Sequence, residues 1–362
     1  MARPSRKMRD LFGILKDKAS ISKAALFSKP NTSSLHLAIL RATSHDPSTP
    51  PHDNHIAEIL SFGHSSRVTA STCIESLMLR LQNTKNSFVA VKCLITIHNI
   101  IKSGSFILQD QLSIYPSTGG KNYLNLSNFR DDSSPETWEL SSFIRWYARV
   151  LEYHLFTSRV LGFFLCSCSS SSNSCCTSKT QEEKVSALLN GELLKQIDVL
   201  VGLIEEICKA TEFLNFGKNK LVYEVMGLVN GDYYSAQKGI LIRINEVRER
   251  MGSFSFGDSV ELICVLKRLE NCREKVLLLF LNKIGTFVDV LWGLIGEMKD
   301  EIGKEKENEQ GRMMMIRRRD KQSASARLGE GVMRSGESVR FGSGRLSLNW
   351  VPISIDESGS RF

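Results

Sequence analysis

The segment at 88–102, FVAVKCLITIHNIIK, constrains the fold of this 362-residue chain most. It is apolar on almost every side, and a helix of that kind is stable in water only when other elements cover it. Elsewhere apolar residues recur with a helical period of three to four, and strand-like alternation is nearly absent. The sequence therefore predicts an all-α protein built around one central buried helix.

Further helices follow from the same periodicity. They are predicted at 35–40, 56–62, 71–81, 138–164, 188–208, 219–231, 233–251, 257–272 and 274–297. The DDSSPE turn at 131–136 supplies capping Asp and Ser residues and a Pro for the first turn of the helix that follows. We predict one α-solenoid of roughly ten helices at 8–297. After it the composition shifts to charged residues, Ser and Gly, which predicts a disordered tail at 298–362.

The chain is basic, with a formal charge of +8 and a pI near 9.0. The excess lies at the two ends: residues 1–29 carry eight basic against two acidic side chains, and residues 312–345 carry nine against three. Such ends favour acidic partners such as an anionic membrane surface. Nucleic acid is not expected, because the basic stretches lack the interleaved aromatic residues that stack on bases.

No secretory signal or membrane span is predicted. The basic N-terminus has no uninterrupted apolar region behind it, and polar residues interrupt the longest apolar run, 276–295. The nine cysteines are odd in number and scattered, which is typical of reduced cytosolic thiols. Four of them lie in a Ser-rich stretch at 166–176 whose spacing matches no standard zinc module. We interpret that stretch as a flexible loop, with palmitoylation or metal binding as alternatives.

No catalytic motif is present in the sequence. It has no nucleophile motif, no Gly-rich phosphate loop and no H-E-x-x-H. His98, in the apolar segment, is interpreted as a core residue. We therefore predict no enzyme, no cofactor and no metal site.

The segment at 40–56, LRATSHDPSTPPHDNHI, is a candidate anion-binding site. Arg41 is placed at the end of one helix, and His52, Asn54 and His55 are placed at the start of the next. A guanidinium binds phosphate through two parallel hydrogen bonds, and the other three side chains can donate further ones. The alternative is an ordinary polar surface turn. We interpret His45 as a structural residue that caps or hydrogen-bonds within the turn.

The N-terminal helix carries a candidate membrane surface. Met8, Leu11, Phe12 and Leu15 form an apolar stripe. Basic residues flank it, namely Arg6, Arg9, Lys16, Lys18 and Lys23. The stripe either packs on the core or lies in the interface of an anionic bilayer, where each nearby basic residue contributes about 1 kcal/mol.

The tail contains one candidate linear motif, RLSLNWVPISID at 345–356. Leu348, Trp350 and Val351 interrupt an otherwise polar stretch, as in segments that bind a partner groove. A basic cluster, Arg317–Arg319, is a second candidate. The alternative is a tail without a binding role.

Several segments together resemble the ANTH domain of plant clathrin assembly proteins, in the ENTH/ANTH/VHS superfamily. They are ILKDKASISKAAL (14–26), ILRATSHD (39–46), LMLRLQNTKNSFVAVKCLITIHNIIKSG (77–104) and LNLSNFRDDSSPETWELSSFIRWYARVLEYHL (124–155). The similarity extends in order over about residues 8–295. It implies a right-handed helical superhelix and a non-enzymatic, monomeric, cytoplasmic adaptor on the membrane surface.

The resemblance also implies partners and a site. The partners are phosphatidylinositol 4,5-bisphosphate membranes, clathrin heavy chain and a SNARE helix, at clathrin-coated pits, coated vesicles and the Golgi apparatus. Arg41 stands at the family's first head-group lysine, and His52, Asn54 and His55 stand where the later basic group is expected. Because uncharged donors replace lysines, we expect weaker lipid binding that recovers partly at lower pH. The rival prediction is a helical interaction scaffold with weak, non-specific binding to anionic membranes.

Overall fold

The structure is a computed structural model of the full chain. It describes residues 6–27, 30–47, 49–116, 119, 122–165, 178–216, 219–280 and 291–300. Every regular element within these residues is helical, so the all-α prediction is confirmed.

Twelve α-helices lie between residues 6 and 280 of the described chain. They are α1 (Arg6–Phe27), α2 (Pro30–Ala42), α3 (Asp53–Ser61), α4 (Arg67–Asn83), α5 (Ser87–Ser103), α6 (Phe106–Ser113), α7 (Pro135–Leu161), α8 (Ser178–Ser186), α9 (Asn190–Cys208), α10 (Lys220–Glu249), α11 (Phe256–Asn271) and α12 (Arg273–Phe280). Three 3₁₀ segments lie at Phe62–His64, Lys209–Phe216 and Met251–Ser253, and residues 291–300 are also helical.

The core is centred on α5, as the apolar segment predicts. Most residues of α5 are buried, and it packs against α4, α7 and α10. The second layer is organised by α9, which packs against α7, α10 and α11. Burying long apolar faces on several neighbours is what stabilises helices that would be marginal in isolation.

Local sequence signals fix where the main helices begin. Ser134 caps α7 in a reciprocal capping box, with Pro135 in the first turn, which confirms the prediction from the DDSSPE turn. Asn86 caps α5 by accepting a hydrogen bond from the backbone N–H of Val89. At the other end of α7, Gly162 adopts a positive φ of 78°, a conformation that glycine reaches without a Cβ clash.

One predicted helix boundary is wrong. The sequence indicates two helices at 219–231 and 233–251, but α10 runs through Gly231 and Asp232 as one helix of 30 residues. A glycine inside a helix costs only about 1 kcal/mol, and Asp232 is held there by buried partners on α5 and α7. The described residues contain twelve α-helices, close to the roughly ten predicted. The short helices α6 and α8 were not predicted, because they give weak periodic signals.

All described residues belong to one unit of the chain, which spans Met1–Lys304. The predicted boundary at 297/298 stays a prediction. Residues 298–300 are helical, and the rest of the predicted tail, including Leu348, Trp350 and Val351, lies outside the described residues. The Ser/Cys stretch at 166–176 lies outside them as well. Among the described helices, none combines the length and the apolar character needed to cross a bilayer.

Candidate functional site

The predicted anion site lies where α2 ends and α3 begins; we name residues 41–55 the α2–α3 corner. Arg41 is in the last turn of α2, and its side chain is about half exposed. Its guanidinium Nη1 lies 4.0 Å from Oε2 of Glu58 on α3. An exposed pair at this distance contributes little to stability, so the guanidinium can exchange Glu58 for another anion.

The other predicted ligands lie at the N-terminus of α3. His52 is the N-cap residue, and its side chain makes no capping hydrogen bond. Asn54 is exposed and His55 is half-buried, with the His52 and His55 rings 5.9 Å apart. The first N–H groups of a helix have no intrahelical acceptor, so this end carries partial positive charge. Asp53, in the same first turn, opposes that charge.

The turn inside the corner is fixed to α1. Asp17 of α1 accepts hydrogen bonds from the backbone N–H of His45 at 2.7 Å and from its ring Nδ1 at 2.6 Å. Burial raises the pKa of Asp17, but the His45 hydrogen bonds and the charge of Arg80 outweigh burial, so the net pKa is lowered. Gly13 allows this close approach, because a Cβ there would lie 2.8 Å from the His45 Cβ. His45 is therefore structural, and its partner lies 28 residues away rather than inside the turn.

Arg80 of α4 also contacts this turn and helps to hold it in place. Its Nη2 donates to the Thr43 carbonyl oxygen at 2.7 Å, and its Nε donates to the Thr43 hydroxyl. Its guanidinium also lies 3.7 Å from Asp17. One arginine thus joins α4, α1 and the end of α2.

Lys92 of α5 reaches the turn from the core. Its side chain is buried, and Nζ donates to the Ser44 hydroxyl at 3.0 Å. Burial lowers the pKa of Lys92 to about 8, although the charges of Asp46 and Asp17 act in the opposite direction. Asp17, Arg80 and Lys92 are the residues that sequence reasoning missed. The apolar surroundings of Lys92 in the sequence were the one available signal.

The predicted membrane surface on α1 is amphipathic in the structure. Asp17 is buried on the inner face, whereas Phe12 and Leu15 are 63% and 59% exposed on the outer face. Lys16 and Lys18 are also exposed. The described part of the apolar stripe is therefore not covered by the core.

For the remaining predicted residues of α1, the structure describes the backbone but not the side chains. Arg6, Arg9, Leu11 and Lys23 lie within α1, and their side chains are outside the described part of the chain. Their membrane roles stay predictions.

A buried polar cluster lies apart from the corner, between α5, α7 and α10. Two histidines contact the carboxylate of Asp232. The Nε2 atom of His98 lies 2.9 Å from it, and the Nε2 atom of His154 lies 3.2 Å from it. Among the described residues, these three side chains form the group whose possible metal-ligating atoms all lie within 4.8 Å of one another. Lys102 Nζ lies 3.9 Å from the same carboxylate and already supplies a positive charge, so we interpret the cluster as an ion-paired core.

Comparison with known proteins places this fold in a family. The family model for the ANTH domain matches residues 34–280, and the chain belongs to that family.

Three of the relatives that it resembles are Arabidopsis thaliana proteins whose sequences align with this chain over most of their length. An Arabidopsis thaliana protein named as a clathrin assembly protein, At4g40080, is 48% identical over 346 residues, which is 93% of this chain and 94% of the relative. Two others named in the same way, At5g10410 and At5g65370, are 33% and 32% identical and cover 83% and 81% of this chain. The alignments span 87% and 99% of those two relatives.

Proposed function

We propose that this protein is a non-enzymatic clathrin adaptor that binds phosphatidylinositol 4,5-bisphosphate in the membrane. Membership of the ANTH domain family and the names of the relatives support the clathrin role. The observation that carries the lipid role is the exposed Arg41 guanidinium in the last turn of α2, whose partner Glu58 lies 4.0 Å away on α3.

The α2–α3 corner has the chemistry of a phosphate site. Arg41 can donate two parallel hydrogen bonds to one phosphate group, whose charge exceeds that of Glu58. His52, Asn54 and the first N–H groups of α3 offer further donors at the start of the next helix. Because Asp53 and Glu58 add negative charge, the corner binds more weakly than a lysine-rich site.

The interior contacts of the corner favour a preorganised site. The turn that separates Arg41 from His52 is held through Thr43, Ser44 and His45, by partners on three different helices. Holding ligand groups in place before binding reduces the entropy lost when the ligand binds.

The outer face of α1 is proposed as a second membrane contact. Phe12 and Leu15 can enter the head-group region while Lys16 and Lys18 contact anionic lipids. Since His45 fixes α1 to the corner, both contacts can engage one membrane surface.

The proposed protein partners are clathrin heavy chain, bound by the tail, and a SNARE helix as cargo. The proposed locations are clathrin-coated pits, coated vesicles and the Golgi apparatus, with the protein acting as a monomer. No residue is assigned to SNARE binding.

Vesicle co-sedimentation tests the lipid role. The wild type is compared with Arg41→Glu on phosphatidylcholine vesicles that contain phosphatidylinositol 4,5-bisphosphate, and on phosphatidylserine vesicles of equal total charge. We expect Arg41→Glu to weaken binding to the phosphoinositide vesicles about tenfold, because a charge-assisted bidentate contact is replaced by repulsion.

The matched control is Arg248→Glu, which makes the same charge change at an exposed arginine near the end of α10. We expect it to bind nearly as the wild type does. Equal losses for both variants, or no preference for the phosphoinositide at equal charge, would exclude the head-group site. Repeating the co-sedimentation at several pH values between about 5.5 and 8 tests the contribution of His52 and His55. Binding that does not change with pH would exclude that contribution.

The second candidate is a helical interaction scaffold that binds anionic membranes weakly and without head-group preference. The carboxylates of Asp53 and Glu58 within the corner favour it. The same vesicle pair separates the two functions, since a scaffold responds to total lipid charge alone.

A further inference from the structure

A groove runs along α7. It consists of two neighbouring cavities of about 510 and 490 Å³, which share Leu124 and Glu152 as lining residues. We name the two together the α7 groove. Arg145 and Arg159, one in each cavity, are 14 residues apart on α7, which corresponds to about 21 Å. That length accommodates about six residues of an extended peptide.

The first cavity is the aromatic half of the α7 groove. Tyr115, Tyr123, Tyr153 and Phe156 line it. The rings of Tyr115 and Tyr123 meet edge to face, with their centroids 5.0 Å apart. Phe156 is 49% exposed, and Tyr153 is exposed as well. Exposed aromatic rings around a cavity are typical of a pocket that receives an apolar side chain from a ligand.

The second cavity is the cationic half of the α7 groove. Arg145, Arg149 and Lys209 line it. The Arg149 side chain is 56% exposed, and its Nε lies 3.9 Å from Oε1 of Glu206. Lys209 contacts the other oxygen of the same carboxylate. Glu206 is only 2% exposed, so this half presents the two cations to solvent rather than the carboxylate that they share.

The charges of the whole groove favour an acidic ligand. Arg159 adds a fourth cation at the aromatic end, where its Nη2 donates to the Ser113 carbonyl oxygen at 2.7 Å. The acidic lining residues are Glu152, Glu206 and Glu212. Of these, Glu206 is buried and Glu152 already accepts a hydrogen bond from the Asn122 amide. Complementary charge steers an acidic segment to such a surface and fixes its orientation.

The wall of the groove opposite α7 is held in place before any ligand binds. The Asn122 amide joins this wall to Glu152 on α7. The Gln82 amide of α4 donates to the Tyr123 carbonyl oxygen from the other side. A pocket fixed by such contacts loses little entropy when a ligand binds.

We propose that the α7 groove binds an acidic linear peptide from a partner protein in an extended conformation. An aromatic or large aliphatic side chain of the peptide occupies the aromatic half, and its carboxylates contact Arg149 and Lys209. A peptide of this kind takes its affinity from one apolar anchor and its orientation from the charges beside it. The proposal is independent of the lipid role, because no described residue that lines the groove belongs to α1 or to the α2–α3 corner.

Fluorescence anisotropy with the full-length protein and synthetic peptides tests the proposal. One fluorescein-labelled peptide carries a phenylalanine, two glycines and three glutamates in that order, and a second carries them in reverse order. Together they cover both chain directions along the groove. We expect saturable binding of at least one. Replacing its phenylalanine with alanine, or its glutamates with lysines, should weaken binding at least tenfold.

Variants of the protein locate the binding site. Arg149→Glu and Phe156→Ala should each weaken binding of the acidic peptide about tenfold. The lysine peptide should bind Arg149→Glu more tightly than it binds the wild type, a gain that a misfolded variant would not show. The matched controls are Arg248→Glu and Phe106→Ala, two exposed positions outside the groove, which should bind as the wild type does.

Three results would overturn the proposal. One is the absence of saturable binding of both peptides by the wild type up to about 1 mM, the weak limit of a specific contact. Another is an equal loss of binding in the groove variants and in their controls. The third is a loss of anionic vesicle binding in Arg149→Glu and Phe156→Ala with peptide binding retained, which would make this face a lipid contact.

Discussion

At the scale of single residues, Asp232 is the buried charge on which three helices converge. Its carboxylate faces His98 of α5, His154 of α7 and Lys102 of α5. Burial alone would raise its pKa, but the two histidines outweigh burial and lower it, so the carboxylate stays ionised. His98 in turn shares a 2.9 Å hydrogen bond with the Tyr147 hydroxyl.

The substitution Asp232→Asn is expected to destabilise the domain by about 3 kcal/mol. It removes the charge that compensates Lys102 and leaves buried donors with a weaker acceptor. Urea unfolding followed by circular dichroism measures the difference.

The matched control is Asp110→Asn, which breaks the exposed pair between Asp110 and Arg67. A surface pair contributes less than about 1 kcal/mol, so this variant should unfold close to the wild type. Similar losses in both variants would contradict the role assigned to Asp232.

The sequence predicted where single residues lie more reliably than which residues they contact. Arg41 was expected at an exposed helix end and His98 inside the core, and the structure places them there. Asp232 was not identified, because its neighbours in sequence indicate a helix break. Its partners on α5 and α7 are brought to it only by helix packing.

At the scale of helices, α1 combines two roles on opposite faces. The inner face holds Asp17 against His45, and the outer face exposes Phe12 and Leu15. From the sequence alone, the apolar stripe of α1 could either pack on the core or insert into a membrane. Exposure of the outer face favours insertion, and the docked inner face explains why α1 is positioned beside the α2–α3 corner.

The substitution Phe12→Glu is expected to weaken vesicle binding about tenfold without lowering the midpoint of thermal unfolding. The phenyl ring can no longer bury its apolar surface in the bilayer, and the new carboxylate is repelled by anionic lipid. Co-sedimentation and differential scanning fluorimetry measure the two effects.

Phe106→Glu is the control, since Phe106 is 79% exposed at the start of α6. It should affect neither measurement appreciably. If Phe12→Glu instead lowered the unfolding midpoint and left binding unchanged, α1 would be a packing helix rather than a membrane contact.

Helix boundaries were predictable where a strong local signal exists. Ser134 and Pro135 mark the start of α7, because capping and proline geometry act within one turn. The continuity of α10 through Gly231 was not predictable. The local preference for a break was overridden by burial of Asp232 against other helices.

At the scale of the whole molecule, we propose that the tail makes the clathrin contact. The predicted motif contains Leu348, Trp350 and Val351, which are outside the described residues. Replacing all three with alanine in the full-length chain should reduce capture of clathrin heavy chain at least several-fold, because a linear motif binds through its few apolar anchors. A pull-down with purified clathrin measures it.

Replacing Arg317–Arg319 with alanine provides the comparison within the same tail. Capture that depends on the basic cluster and not on the apolar motif would refute the motif. Vesicle binding should be retained in the apolar variant, since the lipid contacts are assigned to residues before 60.

The sequence by itself determined the helical class, the central position of α5 and the family. The helical class and the place of α5 follow from periodicity, which acts between residues a few positions apart. The family follows from the resemblance of whole segments, such as 77–104 and 124–155, to the ANTH domain. The tertiary structure alone decided how the charged groups are paired. It fixed Asp17 to His45 and Arg80, Lys92 to Ser44, and Asp232 to two histidines. Such pairs join distant parts of the chain, and burial selects them because an unpaired charge in the core is too costly to remain.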